Sequence, residues 1–198
     1  MINYPGGTPY HGKEEKKRKK KKSEAELSIS SANRGMSFEQ DINISNDYYR
    51  EKGICLITKR PTPINIVKVD YSKGAMITHA YFEAQSTTDY NGVYKGKYID
   101  FEAKNTKNKT SFPLSNITKH QIEHLKQVLK HEGIAFFIIQ FELLEKVYLL
   151  DASYVIEFYE HGERKSIPLQ CFIDNGIEIE KAYNPRLKYI EAIDKKYF

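Results

Sequence analysis

Cysteine is scarce in this chain: there are two, Cys55 and Cys171, far apart and in no CxxC or Cys/His spacing. That excludes a cysteine-built zinc site and a disulfide framework, and both residues read as core fillers. Long apolar runs are missing too. No stretch approaches the roughly 20 residues needed to span a bilayer, and the opening Met1-Ile2-Asn3-Tyr4-Pro5-Gly6-Gly7 lacks the apolar centre of a signal peptide. The expectation is a cytoplasmic protein with no membrane contact. Positive charge is also lacking outside one place. The net charge is +5, but Lys16 to Lys22 supplies seven positive charges, and without that run the remainder stands at −2. A globally basic body is excluded, so any nucleic-acid surface must be a patch. Residues 95 to 130 carry eight lysines against Asp100, Glu102 and Glu123, whereas residues 131 to 184 carry ten acids against Lys146, Arg164, Lys165 and Lys181.

What is present fits one domain with an arm. Hydrophobic residues make up 40% of the 198 residues, enough for a single core. Residues 1–33 are rich in Gly, Pro, Lys, Glu and Ser with little to bury, so a disordered basic arm is expected there, and a folded domain over 34–198. The lysine run suits phosphate contact, a solvated tail or an anionic membrane surface. Ser37 with Gln40 has the form of a capping box, and Phe38, Ile42, Ser45 and Tyr49 follow at helical spacing, which predicts a helix over 37–52 ended by Gly53. Ile54 to Ile57 reads as a buried strand. Pro61 and Pro63 flank two alternating segments, 64–69 and 75–82, around a turn at Ser72-Lys73-Gly74, which predicts a two-stranded ribbon. A turn at Asn91-Gly92, a strand from Lys97 to Lys104 and a helix capped by Thr118 and Gln121 and ended by Gly133 come next. Strands at 134–141 and 147–150 and helices at 152–160 and 186–196 complete an α-β-β-β-α-β-β-α order.

The chemistry concentrates in Asp100-Phe101-Glu102-Ala103-Lys104. Side chains alternate along a strand, so Asp100, Glu102 and Lys104 share one face while Phe101 and Ala103 face the core. Asp89, just before the expected turn, can return beside Glu102. Carboxylates at Asp89 and Glu102, with the carbonyl of Ala103 and phosphate oxygens, suit Mg²⁺, which prefers oxygen ligands and keeps several waters. Such a metal polarises a phosphodiester and lowers the pKa of bound water, with Lys104 positioning that water or stabilising developing charge. Taken alone, Asp…Glu-x-Lys also describes a charge-paired, solvated strand face.

Longer motifs narrow the reading. Gly35-Met36-Ser37-Phe38-Glu39, Pro61-Thr62-Pro63, Ser86-Thr87-Thr88-Asp89-Tyr90-Asn91-Gly92-Val93-Tyr94, Asp100 to Lys107, Thr110-Ser111-Phe112-Pro113-Leu114 and Val147-Tyr148-Leu149-Leu150 together resemble the RecU family over nearly the whole chain. The resemblance implies an α/β fold of the PD-(D/E)XK restriction-endonuclease-like type: a central mixed β-sheet flanked by helices, with residues 61–82 as a projecting β-ribbon stalk. It implies a homodimer that resolves Holliday junctions, making paired nicks in four-way DNA during recombination and repair. It implies a Mg²⁺ cofactor, with Mn²⁺ able to substitute. The family's acidic and lysine positions fall on Asp89, Glu102 and Lys104, with Thr88 beside them as a metal ligand. Gln121 and Glu39 match two further site positions, though a capping box and a first helical turn explain each without a site. DNA contacts are expected from Arg34, Lys59, Arg60, Lys68, Lys73, Tyr81, Lys107 and Lys109, and a recombinase or branch-migration protein is a candidate partner for the acidic face. His120 and His124, at i and i+4, read as surface residues for want of a third ligand. Two other functions fit the same residues: a nuclease for linear or mismatched duplex, and a junction-binding scaffold or recombinase regulator.

Overall fold

A run of eight residues from Ile134 to Phe141 with one polar side chain, Gln140, can be satisfied only where both faces of a strand are covered. In the computed structural model, which describes residues 24–83 and 87–198 and the side chains among them from Phe38 onward, that run lies in the middle of a six-stranded sheet. In chain order the elements are helix α1 (Glu24–Glu51), strands β1 (Leu56–Lys59), β2 (Ile64–Asp70), β3 (Met76–Phe82), β4 (Tyr90–Tyr94), β5 (Lys97–Thr106) and β6 (Ser111–Pro113), helix α2 (Lys119–Lys130), strands β7 (Ile134–Phe141) and β8 (Lys146–Asp151), helix α3 (Ala152–His161), strand β9 (Ser166–Pro168), helix α4 (Leu169–Asn175), strand β10 (Ile177–Glu178) and helix α5 (Tyr189–Tyr197). The sheet order is β1-β4-β5-β7-β8-β10. Only β5 and β7 run parallel; the other neighbours are antiparallel, so the sheet is mixed, as expected. Gly35–Phe198 forms one compact unit.

The alternation of β7 builds two cores. Phe136 and Ile138 meet Phe38, Ile42 and Tyr49 of α1 and Tyr189, Ile190 and Ile193 of α5. Phe137 and Ile139 meet Ile122, Leu125 and Val128 of α2, with Val155 of α3 and Phe172 of α4. Phe101 of β5 is fully buried, its ring stacked at 4.8 Å on Tyr90 and 4.9 Å on Phe136. Burial of each such side chain contributes roughly 1.5–3 kcal/mol. The helical stripe Phe38, Ile42, Ser45 and Tyr49 is buried throughout; Ser45 fits because its hydroxyl donates to the Asp41 carbonyl and accepts the Leu187 N–H at 2.9 Å.

The ribbon is present. β2 and β3 pair only with each other, from Ile64 opposite Phe82 to Asp70 opposite Met76, and every residue of β3 is exposed. At its tip the Asp70 carboxylate accepts the Ser72 N–H at 2.9 Å, and Gly74 takes φ +106°, which glycine adopts without strain.

Several expectations need correction. Helix α1 begins at Glu24, so Ser37 lies inside it and cannot cap it; Glu24, Ala25, Glu26 and Leu27 at its start are good helix formers, and no proline occurs between Pro9 and Pro61. The first strand is shifted to Leu56–Lys59 and only Ile57 is buried, with Ile54 and Leu56 exposed on a sheet edge. Asn91-Gly92 is not a turn but lies inside β4. The turn is at Lys95-Gly96, whose φ of 47° and 75° match a two-residue hairpin. Gly92 answers a different need: a Cβ there would sit 2.0 Å from the Leu56 carbonyl oxygen of β1. The last helix starts at Tyr189, because Ala182 and Lys188 are held in a short hairpin with Arg186 and Glu180. The short elements β6, β9, α4 and β10 were not anticipated.

Candidate active site

β5 crosses the sheet centre, so its two faces lie in different surroundings. Ile99 and Phe101 enter the α1/α5 core, while Asp100 and Glu102 point the other way. Both carboxylates are fully buried, a placement that costs several kcal/mol unless partners are supplied. Partners are supplied, in two separate sets.

Around Glu102 the set is small. Asp89 immediately precedes β4, whose register places Tyr90 opposite Phe101, and the Asp89 N–H donates to Glu102 Oε2 at 3.1 Å. Lys104 Nζ lies 2.6 Å from Glu102 Oε1, and Gln121 Nε2 donates to the same oxygen at 2.6 Å. Gln121 is held in turn by the capping box: its side-chain oxygen accepts the Thr118 N–H at 3.0 Å, and its own N–H donates to Thr118 Oγ1. The capping and site explanations for Gln121 therefore coexist. Asp89, Ala103 and Lys104 line an open cavity of about 300 Å³ together with Phe38, Glu39 and Asn105. Glu39 is ion-paired with Lys59 at its rim. Burial, and then the nearby charge of Asp89, push the Glu102 carboxyl up to about 8 against the opposing pull of Lys104. A carboxylate pair with one lysine has unspent affinity for a cation.

Around Asp100 the set is large. Its Oδ1 accepts the Thr88 hydroxyl. Its Oδ2 takes Arg60 Nη2 at 2.6 Å, the Tyr98 hydroxyl at 2.8 Å and His124 Nε2 at 2.9 Å. Burial alone would raise this carboxyl, but the hydrogen bonds from His124, Thr88 and Tyr98 and the charge of Arg60 outweigh it and hold it below the usual value.

Glu39, Asp89 and Lys104 thus line one cavity, with Glu102 and Gln121 buried behind Lys104 and Lys59 ion-paired to Glu39. The Thr88 hydroxyl is directed to Asp100 and Arg60. Arg60 lies beneath the site, not on the ribbon surface, with its side chain 17% exposed. Lys68, Lys73 and Tyr81 are exposed on the ribbon, and Lys107 and Lys109 are exposed just past β5. The Arg34 side chain and the Lys16 to Lys22 run lie outside the described residues. His120 is exposed and His124 partly exposed, as expected, but His124 Nε2 also meets the buried Asp100 carboxylate. The face of Asp100 was read from the sequence, but its partners Tyr98 and His124 and the inward role of Arg60 were missed. His124 carried one signal, three residues after Gln121 on the face turned to β5; Arg60, 40 residues from Asp100, carried none.

The donor chemistry fits a hard cation. Asp89, Glu102 and the Ala103 backbone offer oxygen only, and no group of three or more His, Cys, Asp or Glu that could hold a metal occurs among the described residues. An ion there would keep waters and take substrate oxygens, as Mg²⁺ does.

A family model described as recombination protein U matches residues 33–195. The Holliday junction resolvase RecU of Geobacillus sp. (strain WCH70) is 52% identical over 203 residues, covering 100% of this chain and 98% of the relative. That of Geobacillus kaustophilus (strain HTA426) is 51% identical over 202 residues with the same coverage. A solved structure of Archaeoglobus fulgidus Hjc, a Holliday junction resolvase, aligns with a TM-score of 0.45 at 13% identity, over 73% of this chain and 95% of that one.

Proposed function

The chain belongs to the recombination protein U family, and on that premise we propose that it is a Holliday junction resolvase, a structure-specific endodeoxyribonuclease cutting four-way DNA in recombination and repair. The observation that carries the chemistry is the convergence of Asp89, Lys104 and Gln121 on buried Glu102 beside an open cavity.

Asp89 and Glu102 would hold a divalent cation, Mg²⁺ or in its place Mn²⁺, which when bound polarises the scissile phosphate and supplies hydroxide from its water. Gln121 fixes which way the Glu102 carboxylate faces. Lys104, half-exposed at the cavity, holds the attacking water or stabilises charge gathering on the phosphate oxygens. Glu39 and Lys59 form the rim. Phosphate contacts fall to Lys68 and Lys73 on the ribbon and to Lys107 and Lys109 beside β5, with Tyr81 placed to stack on unpaired bases. The basic arm over 1–33 would add contacts that carry no sequence information. Two copies about a two-fold axis would give paired, symmetric nicks, which converting a junction into two duplexes requires. The site of action would be the cytoplasm, and the exposed acids among residues 131–184 would serve a recombinase or branch-migration partner.

The test is cleavage of labelled four-way junctions against linear duplex of the same sequence in Mg²⁺. Symmetric nicks on the junction alone are expected. Equal cutting of both substrates would replace the reading with a general duplex nuclease, and binding without cutting in Mg²⁺ or Mn²⁺ would replace it with a scaffold.

A further inference from the structure

The cutting chemistry uses Glu102 and its partners but makes no use of the larger set around Asp100, although that carboxylate is as fully buried and has more partners. Arg60 is its centre. The guanidinium reaches Asp100 Oδ2 at 2.6 Å, the Tyr98 hydroxyl at 2.7 Å and the Thr88 hydroxyl at 3.2 Å, and lies 3.3 Å from His124 Nε2. Its main-chain N–H donates to the Asp89 carbonyl at 2.8 Å. Asp89 lies outside the β4–β5 ladder, which starts at Tyr90, and its carbonyl is held from the other side by the Arg60 main-chain N–H, which continues the β1–β4 pairing past Lys59 and Tyr90. Sheet pairing does not set the side chain of its neighbour Thr88; the side chains of Arg60 and Asp100 do, both bonding the Thr88 hydroxyl.

We infer that Arg60 and Asp100 form a positioning latch that fixes Asp89 opposite Glu102 and ties that placement to the root of the ribbon. Pro61 follows Arg60 directly and opens the segment leading into β2, so any displacement of the ribbon base acts on the residue that holds Asp89. A buried ion pair is seldom a net stabiliser relative to apolar packing, and its best-attested use is to specify one geometry. Arginine suits that use because its planar fork serves several acceptors at once, which a lysine ammonium on a flexible stem does not. The charge of Arg60, matched by Asp100, is spent inside the protein and is not offered to phosphate. This inference rests on the nuclease reading of Asp89 and Glu102.

The test uses the full chain and the variants Arg60→Gln, Arg60→Lys, Asp100→Asn and the double Arg60→Gln/Asp100→Asn. Junction affinity and its salt dependence are measured in Ca²⁺, and single-turnover cleavage as a function of Mg²⁺. Arg60→Gln and Asp100→Asn should each cut about 100-fold more slowly and need more Mg²⁺, the size expected when a reacting group is displaced by about 1 Å. Junction affinity and salt slope should match the wild type. Arg60→Lys should recover little, and the double variant should be no worse than the poorer single, because the pair acts as a unit. If instead Arg60→Gln lowers the salt slope by about one and leaves saturated cleavage unchanged, Arg60 is a phosphate contact and the latch is wrong. Should Asp100→Asn fail to fold, Tyr98→Phe removes one hydroxyl from both members and should slow cleavage with affinity intact. Calorimetric Mn²⁺ titration separates this inference from the nuclease reading: weaker Mn²⁺ binding by Arg60→Gln supports the latch even if no junction is cut, and unchanged Mn²⁺ binding overturns it.

Discussion

The site face of β5 and the β2–β3 ribbon are built on opposite terms. On the site face of β5 the two carboxylates are buried and both have partners: Glu102 has Asp89, Lys104 and Gln121, and Asp100 has Arg60, Thr88, Tyr98 and His124. On the ribbon, apolar side chains are exposed: Ile64, Ile66, Val67, Met76, Ile77, Tyr81 and Phe82. The first region uses the fold to hold polar groups where water would otherwise loosen them. The second holds apolar and basic groups outside the fold, where their use depends on something not in this chain. On the proposed function, the division separates chemistry on β5 from recognition on the ribbon, with Arg60 where the two regions meet.

The largest effect that probes this contrast is loss of cleavage. Glu102→Ala should slow junction cutting by at least roughly 100-fold while leaving junction affinity intact, since it removes a group that acts only at the reacting phosphate. Stability should divide the same way. Phe101→Ala, which empties a fully buried site between two stacked rings, should lower unfolding free energy by about 3–5 kcal/mol. Val67→Ala on the ribbon should change it by less than about 0.5 kcal/mol, read by denaturant titration.

A subtler effect follows from the Glu102 carboxyl, whose folded pKa of about 8 lies above its ordinary 4.5. Between those values the metal-free folded state holds a proton that the unfolded chain releases, so this group's contribution is full below about pH 4.5 and is lost as pH rises through 8. The Tm of the metal-free wild type should therefore fall relative to Glu102→Gln between pH 5 and 8, and Mg²⁺ should narrow the gap. The smallest effect belongs to single ribbon charges. Lys73→Ala should weaken junction binding modestly, lower the salt slope by about one and leave the cutting rate at saturation unchanged.

These regions also differ in how far the sequence disclosed them. The ribbon was legible because alternating segments between Pro61 and the Ser72-Lys73-Gly74 turn are local signals, and strand Ile134–Phe141 and the Thr118–Gln121 capping box were legible for the same reason. Asp100-Phe101-Glu102-Ala103-Lys104 disclosed its two faces through simple alternation. Asn91-Gly92 misled because it has the composition of a hairpin turn, while the close approach of β1 that requires Gly92 depends on a strand more than 30 residues upstream. The internal partners of Arg60 and His124 went unread for a related reason. Charge and spacing say that a side chain is basic or lies on a helix, but not that a buried carboxylate 40 or 24 residues away is waiting for it.

The most direct measurement sets two proteins side by side on the same labelled four-way junction: Glu102→Ala, and a variant with residues 62–82 replaced by a short Gly-Ser linker. Binding is read in Ca²⁺ and cutting in Mg²⁺. The expected result is that Glu102→Ala binds the junction and does not cut it, while the ribbon-deleted protein loses its preference for the junction over linear duplex. Cutting by Glu102→Ala at the wild-type rate would contradict the account at its centre.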